Sequence, residues 1–306
     1  MTQIETPQEK RKLVEIRGPR NFRSRVLTDK IMKTACLGVI LVAFYPFADI
    51  LYLFILNGVR SISWARLTEN TVGGNSLGGG GLSNALEGSL FLIGLSALIV
   101  VPIGVFGGVY LAEFSNNNWI SKVSRFTADI LAGVPSIVLG YVGFSLLVLY
   151  FGWGFSAMAA AITLAVLMFP YILRTTELAL RRVPESIREG ALALGSNKTS
   201  MINRLTLRFA LPGILTGVLL AISISVGETA PLIYTASFSN YATTQLFHSP
   251  VGYLTYMVFV FSQIPTSEAH ALAYLASLLL VLIVLAINLA SRVGLRRLSK
   301  PLESEG

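Results

Sequence analysis

The sequence predicts an all-α integral membrane protein with six transmembrane helices, and three observations carry that expectation. Hydrophobic residues make up 53% of the chain and charged residues only 13%, about half the charge of an ordinary soluble domain. Six separate stretches are long and apolar enough to cross a bilayer, which takes about 20 residues. The 24 Lys and Arg residues gather in alternate connections, the pattern that orients membrane proteins. This composition excludes a soluble enzyme, a collagen-like chain and a disordered chain. The single cysteine, Cys36, excludes an internal disulfide and a Cys-rich metal site.

In chain order, residues 1–33 form a polar tail with nine basic residues between Lys10 and Lys33. The first span, Thr34–Leu56, follows too long a tail and lacks the small-residue cleavage site of a signal peptide. Residues 57–88 form an external loop containing Val72-Gly-Gly-Asn-Ser-Leu-Gly-Gly-Gly-Gly81, a flexible low-complexity stretch. It reads as a linker, with a binding role as the alternative. The remaining spans are Ser89–Ala112, Ile130–Trp153, Phe155–Leu173, Phe209–Gly227 and Ala269–Ser291. None of the six contains Lys or Arg. A shorter apolar patch, Val251–Phe261, cannot span and reads as an interfacial or re-entrant piece on the outer side.

With both ends cytoplasmic, 22 of the 24 basic residues lie inside; the opposite orientation would put them outside, against the positive-inside rule. Anionic lipid at the inner leaflet is then partner enough for the net charge of +8, and no nucleic acid is called for.

The fourth connection, Arg174–Arg208, reads as helix, break, helix. Pro184 suits the first turn of a new helix, and Ile187, Ala191 and Leu194 recur at helical spacing. Gly195 suits the end of that helix, and Ser196 suits the cap of the next. Met201, Ile202 and Leu205 form its apolar stripe. A short amphipathic helix in the cytoplasm fits a groove on a partner; lying on lipid is the alternative.

Pro184-Glu-Ser-Ile-Arg-Glu-Gly-Ala-Leu-Ala-Leu-Gly195, followed by Leu211-Pro212, resembles the EAA loop of ABC-importer permeases. Glu189, Gly190, Ala191 and Gly195 fill its first half, with Gly190 replacing an alanine. Leu205 and Leu207 fill later apolar positions, while Arg208 stands where the family has proline. Together with Ala132-Gly-Val-Pro-Ser136, Ala210-Leu-Pro-Gly-Ile-Leu-Thr-Gly217 and Gly227-Glu-Thr-Ala-Pro-Leu232, the chain resembles the PstA family of permease subunits in bacterial phosphate importers. The resemblance covers roughly residues 89–291.

It implies a type-I ABC importer permease fold, N-in and C-in, in a bacterial cell membrane, with Glu189, Gly190, Ala191 and Gly195 coupling to an ATPase. It implies three partners: a paralogous permease subunit (PstC-like), a homodimeric ATPase (PstB-like) and an extracytoplasmic phosphate-binding protein (PstS-like). ATP and Mg would be bound by the partner ATPase, with no cofactor in this chain. In agreement, Gly190-Ala-Leu-Ala-Leu-Gly195 lacks the Lys-Ser/Thr pair that a phosphate-binding P-loop needs. Three alternatives stay open: the same architecture moving sulfate or molybdate, an ATPase-independent secondary transporter, which would show internal repeats or paired broken helices, and a membrane signalling or scaffold subunit.

Ionisable residues beside membrane spans are functional candidates by default. Arg174, Glu177 and Arg181 share one helical face. Arg174 offers phosphate a planar fork of donors, and Glu177 would tether that fork in the anion's absence. The alternative is an arginine snorkelling to the interface. Glu228 closes the fifth span against the helix dipole, which suggests a gate or pairing role, with a carboxylate facing outer water as the alternative, and Thr229 offers a hydroxyl to the same path. Glu113 and Asp129 read as solvated. Gly104 with Gly108, and Gly213 with Gly217, have the spacing of closely packed helices.

Overall fold

The computed structural model describes residues 22–72, 79–115, 118–243 and 245–303. The expected tail up to residue 21 and the middle of the Gly-rich stretch lie outside them. The chain divides into two compact units, residues 1–53 and 54–306. In the first unit the described residues are all helix, the greater part of α1 (Phe22–Arg60). Its apolar side chains, Val42 and Phe47 among them, are exposed, as suits a helix solvated by lipid.

In the second unit, α2 (Trp64–Thr68) leads into a two-residue antiparallel pairing of β1 (Thr71–Val72) with β2 (Gly79–Gly80). Asn84 ties this hairpin down: its Oδ1 accepts from the Thr71 amide at 3.0 Å, and its Nδ2 donates to the Ser239 carbonyl at 2.7 Å. Helix α3 (Ser83–Val109) continues into a π-helical turn, Tyr110–Phe114. Then come α4 (Trp119–Gly133), α5 (Ser136–Gly143) with a π-helical extension, and α6 (Ala157–Arg181). The cytoplasmic loop holds α7 (Glu185–Ala193) and α8 (Lys198–Met201). A π-helical turn, Ile202–Thr206, joins α8 to α9 (Leu207–Val226). Short helices α10 (Ala230–Thr235) and α11 (Leu254–Tyr256) precede the long α12 (Ser267–Glu303).

Among the described residues, five helices are long and apolar enough to cross a membrane, and six if α4 and α5 count as one bent span. That pair corrects the expected straight span Ile130–Trp153. The two arms meet at 104° across Val134 and Pro135, because proline removes an amide and pushes the residue before it out of the helical region. Val134 accordingly has φ −73° and ψ 130°.

Helix α6 is the most enclosed of the spans. Its small residues Ala157, Ala159, Ala160 and Ala161 are fully buried. It packs between α3 and α9 with glycines at the crossing points: Gly104 lies against Ile172, Gly108 against Thr176, Gly213 against Ala179 and Gly217 against Thr175. This is the close approach that both small-residue pairs suggested.

The patch Val251–Phe261, read as interfacial or re-entrant, is enclosed by protein over much of its length. Tyr253, Leu254 and Met257 are buried within 1% of completely: Leu254 and Met257 pack with Leu82, Ala85, Ala269 and Leu272, and Tyr253 packs with Leu92 and Ala157. A segment of eleven residues, too short to span, is stable at membrane depth when protein encloses it, and here Ser89 Oγ also accepts from the Leu254 amide at 2.8 Å.

Candidate functional site

The bend after α4 brings that helix's polar face against the end of α6. Arg125 and Asp129, four residues apart on α4, meet Arg174, Glu177 and Arg181 of α6. Glu177 is the hub: its side chain is 5% exposed, and its carboxylate takes three guanidiniums. Arg125 Nε donates at 2.8 Å, Arg181 Nη2 at 3.0 Å and Arg174 Nη1 at 3.3 Å. Arg174 is shared. Its Nε donates at 3.0 Å, and its Nη2 at 2.6 Å, to Asp129 Oδ1, and Nη2 also reaches Oδ2. Three cations against two carboxylates leave one net positive charge in the cluster. Arg174 and Arg181 reach its open side, with side chains 32% and 50% exposed. Partly desolvated guanidiniums in excess, with two of them partly exposed, are donors of the kind that an anion accepts from.

Two expectations are corrected here. Glu177 holds Arg174 as proposed, but the stronger grip comes from Asp129, which is paired and not simply solvated. Arg125 and Asp129 were missed; their four-residue spacing was the available signal.

The segment expected to couple sits on the same end of α6. Pro184 occupies the N-cap position of α7, one residue earlier than expected, and Asn197, not Ser196, caps α8 by accepting from the Ser200 amide at 2.8 Å. Gly195, at φ +82°, ends α7 as expected. The Ser196 amide donates back to the Ala191 carbonyl at 3.1 Å and the Gly195 amide to Leu192 at 2.9 Å, a paired closure that needs a left-handed residue. Glu189, Gly190 and Gly195 are exposed, along with Leu192 and Leu194, the latter 91% exposed. Ala191 faces inward against Met201 and Ile202, so of the four expected coupling residues it packs the helix from beneath.

Glu113 is likewise buried rather than solvated, its side chain 2% exposed and ion-paired with Arg188 of α7. A carboxylate in the last turn of a helix opposes the dipole, and the arginine offsets it. Its partner lies 75 residues away, beyond any local pattern.

Glu228 and Thr229, the other two path candidates, stand apart from this cluster. They occupy the break between α9 and α10, and Glu228 lines a small cavity with Ser89, Ser225, Tyr253 and Thr255. Thr255 Oγ1 donates to the Glu228 carbonyl at 2.9 Å. Glu228 lies eleven residues beyond Gly217, which packs beside Thr175, and so beyond the end of α9 from the arginine cluster.

Residues 104–302 match the family described as binding-protein-dependent transport system inner membrane component. The phosphate transport system permease protein PstA 2 of Mycobacterium bovis is 40% identical over 270 residues, 88% of each chain. The phosphate transport system permease protein PstA of Yersinia pestis is 41% identical over 244 residues, 80% of this chain and 82% of that one. In fold, the chain is similar to one in the crystal structure of a bacterial alginate ABC transporter in complex with an alginate pentasaccharide-bound periplasmic protein. That similarity has a TM-score of 0.61 at 13% identity, covering 92% of this chain and 99% of that one.

Proposed function

The chain belongs to the family of binding-protein-dependent transport system inner membrane components, and from there we propose that it is a permease subunit of an ATP-driven importer of inorganic phosphate. It forms half of the translocation path, in a bacterial inner membrane. The observation that carries the substrate is the 40% identity to a phosphate permease across 88% of the chain. A match of that length necessarily includes the stretch from Arg174 to Thr229.

A paralogous permease subunit forms the other half of the path. A homodimeric cytoplasmic ATPase binds ATP and Mg and engages the exposed face of α7 through Glu189 and Leu194. An extracytoplasmic binding protein delivers phosphate from the outer side. Closure of the ATPase moves α7, the spans reorient, and hydrolysis resets them. Within the path, phosphate takes the guanidinium fork of Arg174 that Asp129 otherwise occupies, because both anions present the same pair of oxygen acceptors. An exchangeable hold of this kind lets the ion bind and leave, as conduction requires.

The test is uptake of radiolabelled phosphate at low external concentration, in cells lacking this gene and rescued with it. Rescue that ignores excess sulfate and vanishes with Glu189→Lys supports the proposal. Rescue indifferent to Glu189→Lys points to a carrier that needs no ATPase, and inhibition by sulfate points to another oxyanion.

A further inference from the structure

We propose that Arg188, Glu113 and Arg125 form a relay that ties the position of α7 to the hold on Arg174. The proposal rests on the roles given above to α7 and Arg174 and names the residues that connect them. These are positioning residues and touch no substrate.

Arg188 lies on the ATPase-facing helix, yet its side chain points inward and is 13% exposed. It ion-pairs with Glu113 and donates through Nη2 to the Leu180 carbonyl at 2.9 Å. Its Nε lies 3.5 Å from Glu185 Oε2. One side chain thus fastens α7 both to the end of α6 and to the π-helical turn Tyr110–Phe114. Ala191, Met201 and Ile202 pack beside Val109, at the start of that turn, so apolar contact holds the same surfaces together.

The turn is gripped again from its other side. Leu111 lies two residues before Glu113, and its carbonyl accepts from Arg125 Nη2 at 3.2 Å. Arg125 Nε in turn donates to Glu177 Oε1 at 2.8 Å, and Glu177 Oε2 accepts from Arg174 Nη1 at 3.3 Å. The links therefore run from α7 through the turn and α4 to α6 without a gap. All but the last join groups that are mostly shielded from water, where charge-assisted bonds are strongest. A π-helical turn has already departed from the regular hydrogen-bond ladder, and such turns concentrate at functional positions. Moving α7 drags Glu113, the turn carries Leu111, and Arg125 shifts Glu177 relative to Arg174.

Spatial continuity alone is no proof of coupling, so the test measures coupling itself. The complete transporter is reconstituted in proteoliposomes in a Cys36→Ala background, and phosphate uptake and ATP hydrolysis are read together. Arg188→Glu and Glu113→Arg each lower uptake per ATP about tenfold while hydrolysis stays within about twofold. The exchange of both charges recovers most of the loss. Because that exchange puts each side chain in a space shaped for the other, a covalent link provides the second arm. Glu113→Cys with Arg188→Cys is uncoupled when its thiols are reduced, and bridging them with a short bifunctional thiol reagent restores uptake per ATP. Normal uptake per ATP in either charge-reversal variant overturns the relay, as does bridging that changes nothing. Failure of the phosphate reading looks different: the unaltered transporter itself would then move no phosphate.

Discussion

Arg174 grips Asp129 along the edge of its guanidinium, with Nε and Nη2 both donating to Oδ1 and Nη2 also reaching Oδ2. Phosphate must displace that carboxylate to take the fork. Arg174→Gln removes the charge and the fork together, and uptake at saturating phosphate falls at least about tenfold, the worth of one charge-assisted bond. Arg174→Lys keeps the charge without the planar fork and falls between the two. Initial rates of phosphate uptake check both; an unchanged rate in Arg174→Gln removes this arginine from the path.

Glu177 has a different task. Its carboxylate is buried among three arginines, so Glu177→Gln leaves their charges without a central counter-ion. Removing one partner of a buried pair costs about 3–5 kcal/mol. Thermal unfolding of the purified complex should therefore begin well below that of the unaltered protein, whereas Arg174→Gln, at a more exposed position, shifts it less.

Gly217 and Gly190 separate packing from coupling. A Cβ on Gly217 would collide with the Cβ and hydroxyl of Thr175, a stiff β-branched side chain, whereas nothing lies within 4 Å of a Cβ on Gly190. Gly217→Ala should cost about 1–3 kcal/mol as an overpacked site and reduce the yield of assembled complex. Gly190→Ala, which restores the family's alanine, should leave yield and uptake unchanged.

The cavity beside Glu228 is the size of one water molecule, about 10 Å³. Two of its lining hydroxyls, Ser225 Oγ and Tyr253 OH, are buried without a hydrogen-bond partner among the described residues. A site with that many polar groups holds an ordered water, and a high-resolution experimental map should show one bridging Tyr253 to Ser225 or Glu228. Tyr253→Phe should lose it.

Much of the fold was legible because lipid imposes long apolar runs that composition alone reveals. The spans α1, α3, α6, α9 and α12 were found, and the glycines at helix crossings were recognised from spacing. What stayed hidden depended on contacts between distant segments. The bend at Val134–Pro135 escaped because the residues next to it on both sides, Ile130–Gly133 and Ser136–Gly143, are apolar and hydropathy sums straight across it, although Gly133-Val-Pro135 was in plain view. For Val251–Phe261 the choice between an interfacial and a re-entrant piece stayed open because an apolar patch does not reveal whether lipid or protein covers it. Glu113 and Asp129 read as solvated because their arginines stand 75 and 45 residues away. Arg174 with Glu177 was legible, being three residues apart on one helix. Which carboxylate holds the arginine more firmly was not.

The most direct test is the initial rate of radiolabelled phosphate uptake into proteoliposomes holding the complete transporter, with and without ATP on the ATPase side. Uptake that needs ATP, persists in excess sulfate and is lost with Glu189→Lys is the expected result. Phosphate entry at the same rate without ATP, or none in a fully assembled complex, would contradict a phosphate permease driven through α7.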